Sequence, residues 1–320
     1  MKIDAVITWV DGEDPAHKAK RQKYGPQSLF KVNDIAGSTR YTSVGEIFWC
    51  VASLNRFAPW INRIFIVTDN QNPGLDEFMS QHFPECAIPM EIVDHKDIFR
   101  GYEDCLPTFS SVSIETMTWR IPGLSDCFIE LNDDMMLVAP ADPSDFFTEE
   151  GITVCYAEPY SMLWTKVTRM LKRKKYGHVP VTFKGLMYNA AHIAGCRNVF
   201  YKIDHTPRAL RRDVYEDIFS GNDDLLLRNI RHRFRHAEQF SSEVLQYMIL
   251  HNKGQCIRRP VNGNLFYLIP KNKLGYIDKK LSLLDSGEYR FCCFNSIDQA
   301  APEDYDKIMK WISKRLDIEF

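Results

Sequence analysis

Apolar positions in the first half of the chain alternate between two rhythms. Ile3 to Val10 is a β-branched, largely apolar run, the composition of a strand buried on both faces. From Ser43 to Phe57 the spacing changes, and Ile47, Val51 and Leu54 share one face of a predicted helix. The strand pattern returns at Arg63–Asp69 and Met90–Asp94, with a helical stretch from Asp76 to Phe83 between them. Ser110 to Arg120 reads as a further helix, ending before Pro122-Gly123. Cys127–Leu131 is then a fourth strand that runs into Asn132-Asp133-Asp134. Strands and helices alternating at this spacing predict a mostly parallel sheet in a Rossmann-like α/β core over residues 1–150. Such sheets bind ligands at the carboxyl ends of their strands. The residues just past these strands are Asp11-Gly12, Asp69-Asn70, Asp94-His95 and Asn132-Asp133-Asp134, more polarity on one rim than loop solvation alone requires.

Beyond about residue 145 the rhythm weakens. Residues 151–290 are richer in basic and aromatic positions and predict a mainly helical subdomain or lid, with helices at Ser161–Lys175, Thr206–Phe219 and Ser241–Leu250. Residues 291–320 read as a strand and helix docking back on the core. Tyr305, Ile308, Met309, Ile312 and Leu316 mark the buried face of that helix.

Composition narrows the classes. A formal charge of -2 over 320 residues gives no global attraction to nucleic acid, so no nucleic-acid partner is expected. No run of about 18 apolar residues predicts a transmembrane helix. Charges flank the short N-terminal apolar run, which lacks the form of a signal peptide, and a cytoplasmic location is the expectation. Nine cysteines without paired CxxC spacing read as reduced thiols, not as a zinc cluster or disulfide framework.

Five segments could carry chemistry. Adjacent carboxylates at Asp133 and Asp134, past a buried strand, can hold Mg²⁺ or Mn²⁺ against a diphosphate; a turn with an Asp cap gives the same sequence. Trp9-Val10-Asp11-Gly12, followed by Asp14-Pro15, opens a strand into a turn whose backbone N–H groups can approach a base or phosphate. His205, with Asp204 beside it and a predicted helix after it, suits a general base or a structural cap. Arg235 lies in the run Arg231-His232-Arg233-Phe234-Arg235-His236, which suits phosphate oxygens or a solvated basic face. In Met162–Lys175, Leu163, Val167, Met170 and Leu171 share one helical face among six basic residues. That pattern fits peripheral contact with an anionic membrane, or a core-packed helix with a solvated basic face.

Taken in order, these segments resemble the Stealth family of sugar-phosphate transferases. The opening block is similar to Ile3 through Gly12 with Asp14-Pro15. The second runs through Arg40-Tyr41, Phe57-Ala58-Pro59-Trp60-Ile61, Ile66-Val67-Thr68-Asp69-Asn70-Gln71, Leu106-Pro107-Thr108-Phe109-Ser110-Ser111 and Phe128-Ile129-Glu130-Leu131-Asn132-Asp133-Asp134. The third resembles His205-Thr206-Pro207 through Phe219 and Phe234-Arg235-His236-Ala237-Glu238. The fourth is Phe291 to Asp298, with Asn295-Ser296 where the family commonly has Asn-Asp. The resemblance implies a GT-A-like core and catalytic roles at His205, Arg235, Asp133, Asp134 and Glu115. It also implies donor contacts at Trp9, Val10, Asp11, Gly12, Arg40 and Asn295, with Mg²⁺ or Mn²⁺ at Asp133 and Asp134. The implied partners are a UDP-sugar donor and an oligosaccharide or lipid-linked glycan acceptor. The expected reaction moves hexose-1-phosphate to a sugar hydroxyl and releases UMP, in capsule or cell-surface polysaccharide synthesis. A glycosyltransferase attacking C1 and releasing UDP is the rival reading, and a non-enzymatic glycan-binding module the third.

Overall fold

The computed structural model describes residues 1–25, 44–85, 87–271 and 273–319. The N-terminal half builds β1 (Ile3–Thr8), α1 (Pro15–Tyr24), α2 (Glu46–Phe57), β2 (Ile64–Thr68), α3 (Leu75–His82), β3 (Met90–Asp94), α4 (His95–Ile98), α5 (Ser111–Glu115), β4 (Cys127–Asn132) and β5 (Met135–Leu137). There follow β6 (Thr153–Ser161), α6 (Met162–Tyr176), α7 (Phe183–Ile193), β7 (Val199–Ile203), β8 (Arg208–Arg211), α8 (Arg212–Phe219), α9 (Asp223–Ile230) and α10 (Ser242–Asn252). The chain closes with β9 (Cys256–Arg259), β10 (Leu265–Leu268), α11 (Tyr276–Leu284), β11 (Phe291–Phe294) and α12 (Pro302–Leu316).

The main sheet has the order β3-β2-β1-β4-β8. Its first four strands run parallel, and β8 closes the edge antiparallel to β4. Both faces are covered over β1, β2 and β4, which is why these strands are buried along nearly their whole length, while edge strand β3 leaves Glu91 and Ile92 exposed. Ala5 and Ile7 of β1 pack into one core with Trp49, Val51 and Leu54 of α2 and Ile308 and Ile312 of α12. Val6 points the other way, into a second core with Phe128, Tyr215, Val244 and Met248. This is the α/β fold expected from the alternation. Two three-stranded sheets flank it, in the orders β10-β11-β5 and β7-β6-β9.

Two predicted helices come out differently. Thr206–Phe219 is not one helix: Arg208–Arg211 is a strand, and the helix begins at Arg212. Ala209 and Leu210 are buried in opposite cores, a period-two pattern, and the helical spacing starts only at Val214. Ser110–Arg120 breaks into α5 and a 3-10 turn at Thr118–Arg120. There the Thr116 and Thr118 hydroxyls donate to the carbonyls of Val112 and Glu115, at 2.6 and 3.1 Å, and compete with the helical pattern. The eight described cysteines are free thiols.

Candidate active site at the carboxyl ends of the parallel strands

The chain leaves β1 for β2 and β3 on one side, then returns to place β4 on the other. The loops after β1 and β4 therefore diverge, and the crevice between them is where open α/β sheets take ligands. All four polar strand ends lie on this rim, since Thr8 pairs with Asn132 and with Val67, and Thr68 with Asp94.

Asp133 and Asp134 form the tight turn between β4 and β5, so no helix follows for an Asp to cap. The turn is held from β11: Phe294 N–H donates to the Asp134 carbonyl at 3.0 Å. Cys293 Sγ and Asn295 Nδ2 both donate to Asp134 Oδ2 at 3.3 Å. Asp134 Oδ1 is buried with no hydrogen-bond partner among the described residues. Burial pushes the Asp133 carboxyl well above its ordinary range, and the carboxylates of Asp134 and Glu46 push it further. A bound divalent cation would relieve this repulsion and satisfy the orphaned oxygen, so the residues fit one.

His205 lies between β7 and β8 and not ahead of a helix. Its neighbour Asp204 is taken by Lys202 Nζ at 2.7 Å. The carboxylate facing the imidazole is instead Asp134: ligand atoms of Asp134, His205 and Cys293 lie within 4.8 Å of one another. Tyr267 and Phe183 flank the ring, with centroids at 5.5 and 6.5 Å. Burial lowers the His205 pKa, opposed by Asp134, and the imidazole is neutral near pH 7, ready to accept a proton.

Sequence reasoning named Glu115 but missed the rest of the group beneath the rim. Arg208 is 2% exposed, with Nη1 3.6 Å from both Glu130 and Glu243 and 3.9 Å from Glu115. Burial opposes the guanidinium's charge, but Glu243, Glu115 and Glu130 outweigh it and hold the pKa above its usual value. Burial and Glu243 push Glu115 up to about 7, against the pull of Arg208 and Arg235. Burial likewise raises Glu130 strongly, helped by Glu243 and Glu115. The signal for this cluster was Glu130 itself, an acid inside an apolar strand, which requires a buried partner.

The basic run divides by destination. Arg235 Nη2 donates to Ser111 Oγ at 2.9 Å, within electrostatic reach of Glu115 and His205. Arg233 instead donates to the Pro107 carbonyl at 2.9 Å and stacks on Tyr24, bracing loops. Arg231 pairs with exposed Glu238 at 2.8 Å. The structure thus brings Asp134, His205, Asn295, Glu115 and Arg235 into one neighbourhood.

The Trp9–Gly12 segment is fastened from β2. Trp9 N–H donates to the Val67 carbonyl at 3.0 Å. The Gln71 amide clasps Asp11, accepting its N–H and donating to its carbonyl, both at 2.9 Å. Gly12 is buried, and Asp14 caps α1 by accepting from His17 N–H at 2.7 Å. A cleft of about 360 Å³ opens beside the clasp, lined by Thr68, Gln71, Ile92 and Asp94 among others. Arg40 lies outside the described residues.

Residues 1–29 match Stealth protein CR1, conserved region 1, and residues 40–155 match Stealth protein CR2, conserved region 2. Among curated proteins, the capsular polysaccharide phosphotransferase WcwK of Streptococcus pneumoniae is 29% identical over 97% of this chain and 94% of its own. The receptor polysaccharide phosphotransferase WefC of Streptococcus oralis is 30% identical over 99% of this chain and 96% of its own. Among solved structures, the bifunctional glycosyltransferase WbbM in its apo form shares 8% identity at a TM-score of 0.46, over 98% of this chain and 50% of that one. Mouse xyloside xylosyltransferase 1 shares 10% at 0.40, over 92% of this chain and 98% of its own. TM-scores this low carry no argument about function. The sequence relatives match nearly end to end, and on that ground the chain belongs to the Stealth family.

Proposed function

We propose that the protein is a transferase that moves hexose-1-phosphate from a UDP-sugar to a sugar hydroxyl in capsule or cell-surface polysaccharide synthesis. The observation that carries this reading is the half-buried His205, its pKa lowered by desolvation, facing Asp134 at the carboxyl end of β4, with Arg235 close by. The relatives named as polysaccharide phosphotransferases support the same reaction class.

In this reading the acceptor oxygen attacks the phosphorus next to the donor sugar, and the bond from that phosphorus to the UMP oxygen breaks. His205 takes the hydroxyl proton, and Asp134 stabilises the imidazolium that results. Arg235 faces the charge on the phosphoryl oxygens, and Ser111 holds its guanidinium in place. The clasped Asp11 loop and Gly12 receive the nucleotide. Asp133 and Asp134 would hold Mg²⁺ or Mn²⁺, which supplies charge neutralisation at the diphosphate when bound. The sugar's C1–O bond stays intact, so its anomeric configuration passes unchanged into the phosphodiester.

The test is the nucleotide released when the protein meets UDP-sugars, an oligosaccharide acceptor and a divalent cation. UMP with a phosphodiester product is expected, and chelating the cation should abolish the release. UDP would establish attack at C1 and sink the phosphoryl-transfer reading. Turnover undiminished by chelator would remove the cation from it.

A further inference from the structure

We infer that α6 is an interfacial helix that seats the protein on an anionic lipid bilayer. Its apolar stripe does not pack on the core. Leu163 is 71% exposed, Trp164 63%, Met170 63% and Leu171 62%, with Val167 also exposed. At about 100° per residue these five side chains span an arc of roughly 120°. The helix's buried residues, Met162 and Thr165, lie on the opposite side of it. The apolar face therefore points straight away from the protein, which excludes the core-packed alternative for this pattern.

Charge identifies what covers that face. Lys166 lies on one margin of the stripe and Lys175 on the other, Arg173 and Lys172 lie further round the helix, all exposed, while Lys174 enters the stripe at its C-terminal end. No acidic residue occurs between Met162 and Tyr176. An apolar face rimmed by basic side chains matches a bilayer with anionic headgroups: the stripe enters the headgroup boundary and the lysines reach the phosphates. At 15 residues α6 is about 22 Å long, too short to span the roughly 30 Å hydrocarbon layer, so it lies on the surface.

The helix is also coupled to the site. Half-buried Arg169 donates to the Gly185 carbonyl at 3.1 Å and to Asn189 Oδ1 at 3.3 Å, binding α6 to α7. The first residue of α7, Phe183, flanks the His205 ring. Seating α6 on a membrane thus fixes the depth of His205 relative to the lipid, where a lipid-linked glycan would present its hydroxyl. That placement of the acceptor rests on the proposed function; the docking itself does not.

Vesicle flotation of the full chain tests the inference. Binding is expected to mixed phosphatidylcholine–phosphatidylglycerol vesicles and not to phosphatidylcholine alone. It should fall as salt rises from 0.1 to 1 M and the screening length shrinks from about 10 to about 3 Å. Trp164→Glu with Leu171→Glu should weaken binding by at least about tenfold, and so should Lys166→Glu with Arg173→Glu. Circular dichroism and turnover of a soluble acceptor should match the parent in both variants, separating this result from any failure of the proposed reaction. Equal binding to both vesicle types, or binding indifferent to both variants, would overturn the inference. So would a dimer in sedimentation velocity that Trp164→Glu dissolves while vesicles go unbound, since a second copy would then be the occupant.

Discussion

Arg208→Met should destabilise the fold by about 3–5 kcal/mol, the usual cost of removing one partner from a buried ion cluster. The substitution keeps an unbranched side chain of similar reach, so the loss reports charge rather than a cavity. Glu115, Glu130 and Glu243 would be left around a site without its cation. Burial already holds Glu115 and Glu130 above the ordinary carboxyl range with Arg208 present, and without it they rise further. A carboxyl whose folded pKa is raised binds more protons folded than unfolded. Its effect is to lower stability as pH climbs above the unfolded value near 4.3. Urea denaturation at two pH values checks both statements: the deficit against the parent should be larger at pH 8 than at pH 5. A deficit independent of pH would show that packing, and not charge, is what Arg208 supplies.

His205→Ala should cut turnover by about 10²- to 10⁴-fold, the range of a lost general base. Donor affinity, measured by calorimetry with the UDP-sugar, should survive, because the imidazole acts on the acceptor. In the parent the rate should fall only at a pH below the free-imidazole value of about 6.5, where a protonated ring can no longer accept. Its pKa is lowered by burial, so the plateau should reach somewhat to the acid side of that value. The variant's residual rate should lack this acid limb. If donor affinity fell in step with turnover, His205 would belong to binding instead.

The fold of the first half was legible because β1 to β4 are short apolar runs separated by amphipathic helices, and local pattern and topology agree there. The second half was less so. β6 contains Glu158 and Pro159, and β8 is four residues long and runs straight into a helix, so neither offers a sustained period. Among the site residues, Asp134 and His205 stood out because a polar group follows an apolar strand or stands beside a charged one. Asn295 was visible only through the family resemblance. Arg208 stayed hidden, since its segment reads as the first turn of a helix over Thr206–Phe219 until Arg208–Arg211 is paired with β4. Glu130 alone betrayed it. In α6 the periodicity was correct but could not say which way the stripe pointed; that depends on the contacts of Met162, Thr165 and Arg169 with the rest of the molecule.

The clamp on Asp134 spans 161 positions of sequence, from the turn after β4 to Asn295. During synthesis the strand ends that define the crevice can be complete while the acid at its centre is still untethered. A chain truncated before residue 291 would therefore lose both tethers on Asp134 and the α12 residues Ile308 and Ile312 that cover one face of the main sheet. The Asp134 side chain is thus tethered only once β11, the last strand among the described residues, has paired with β5.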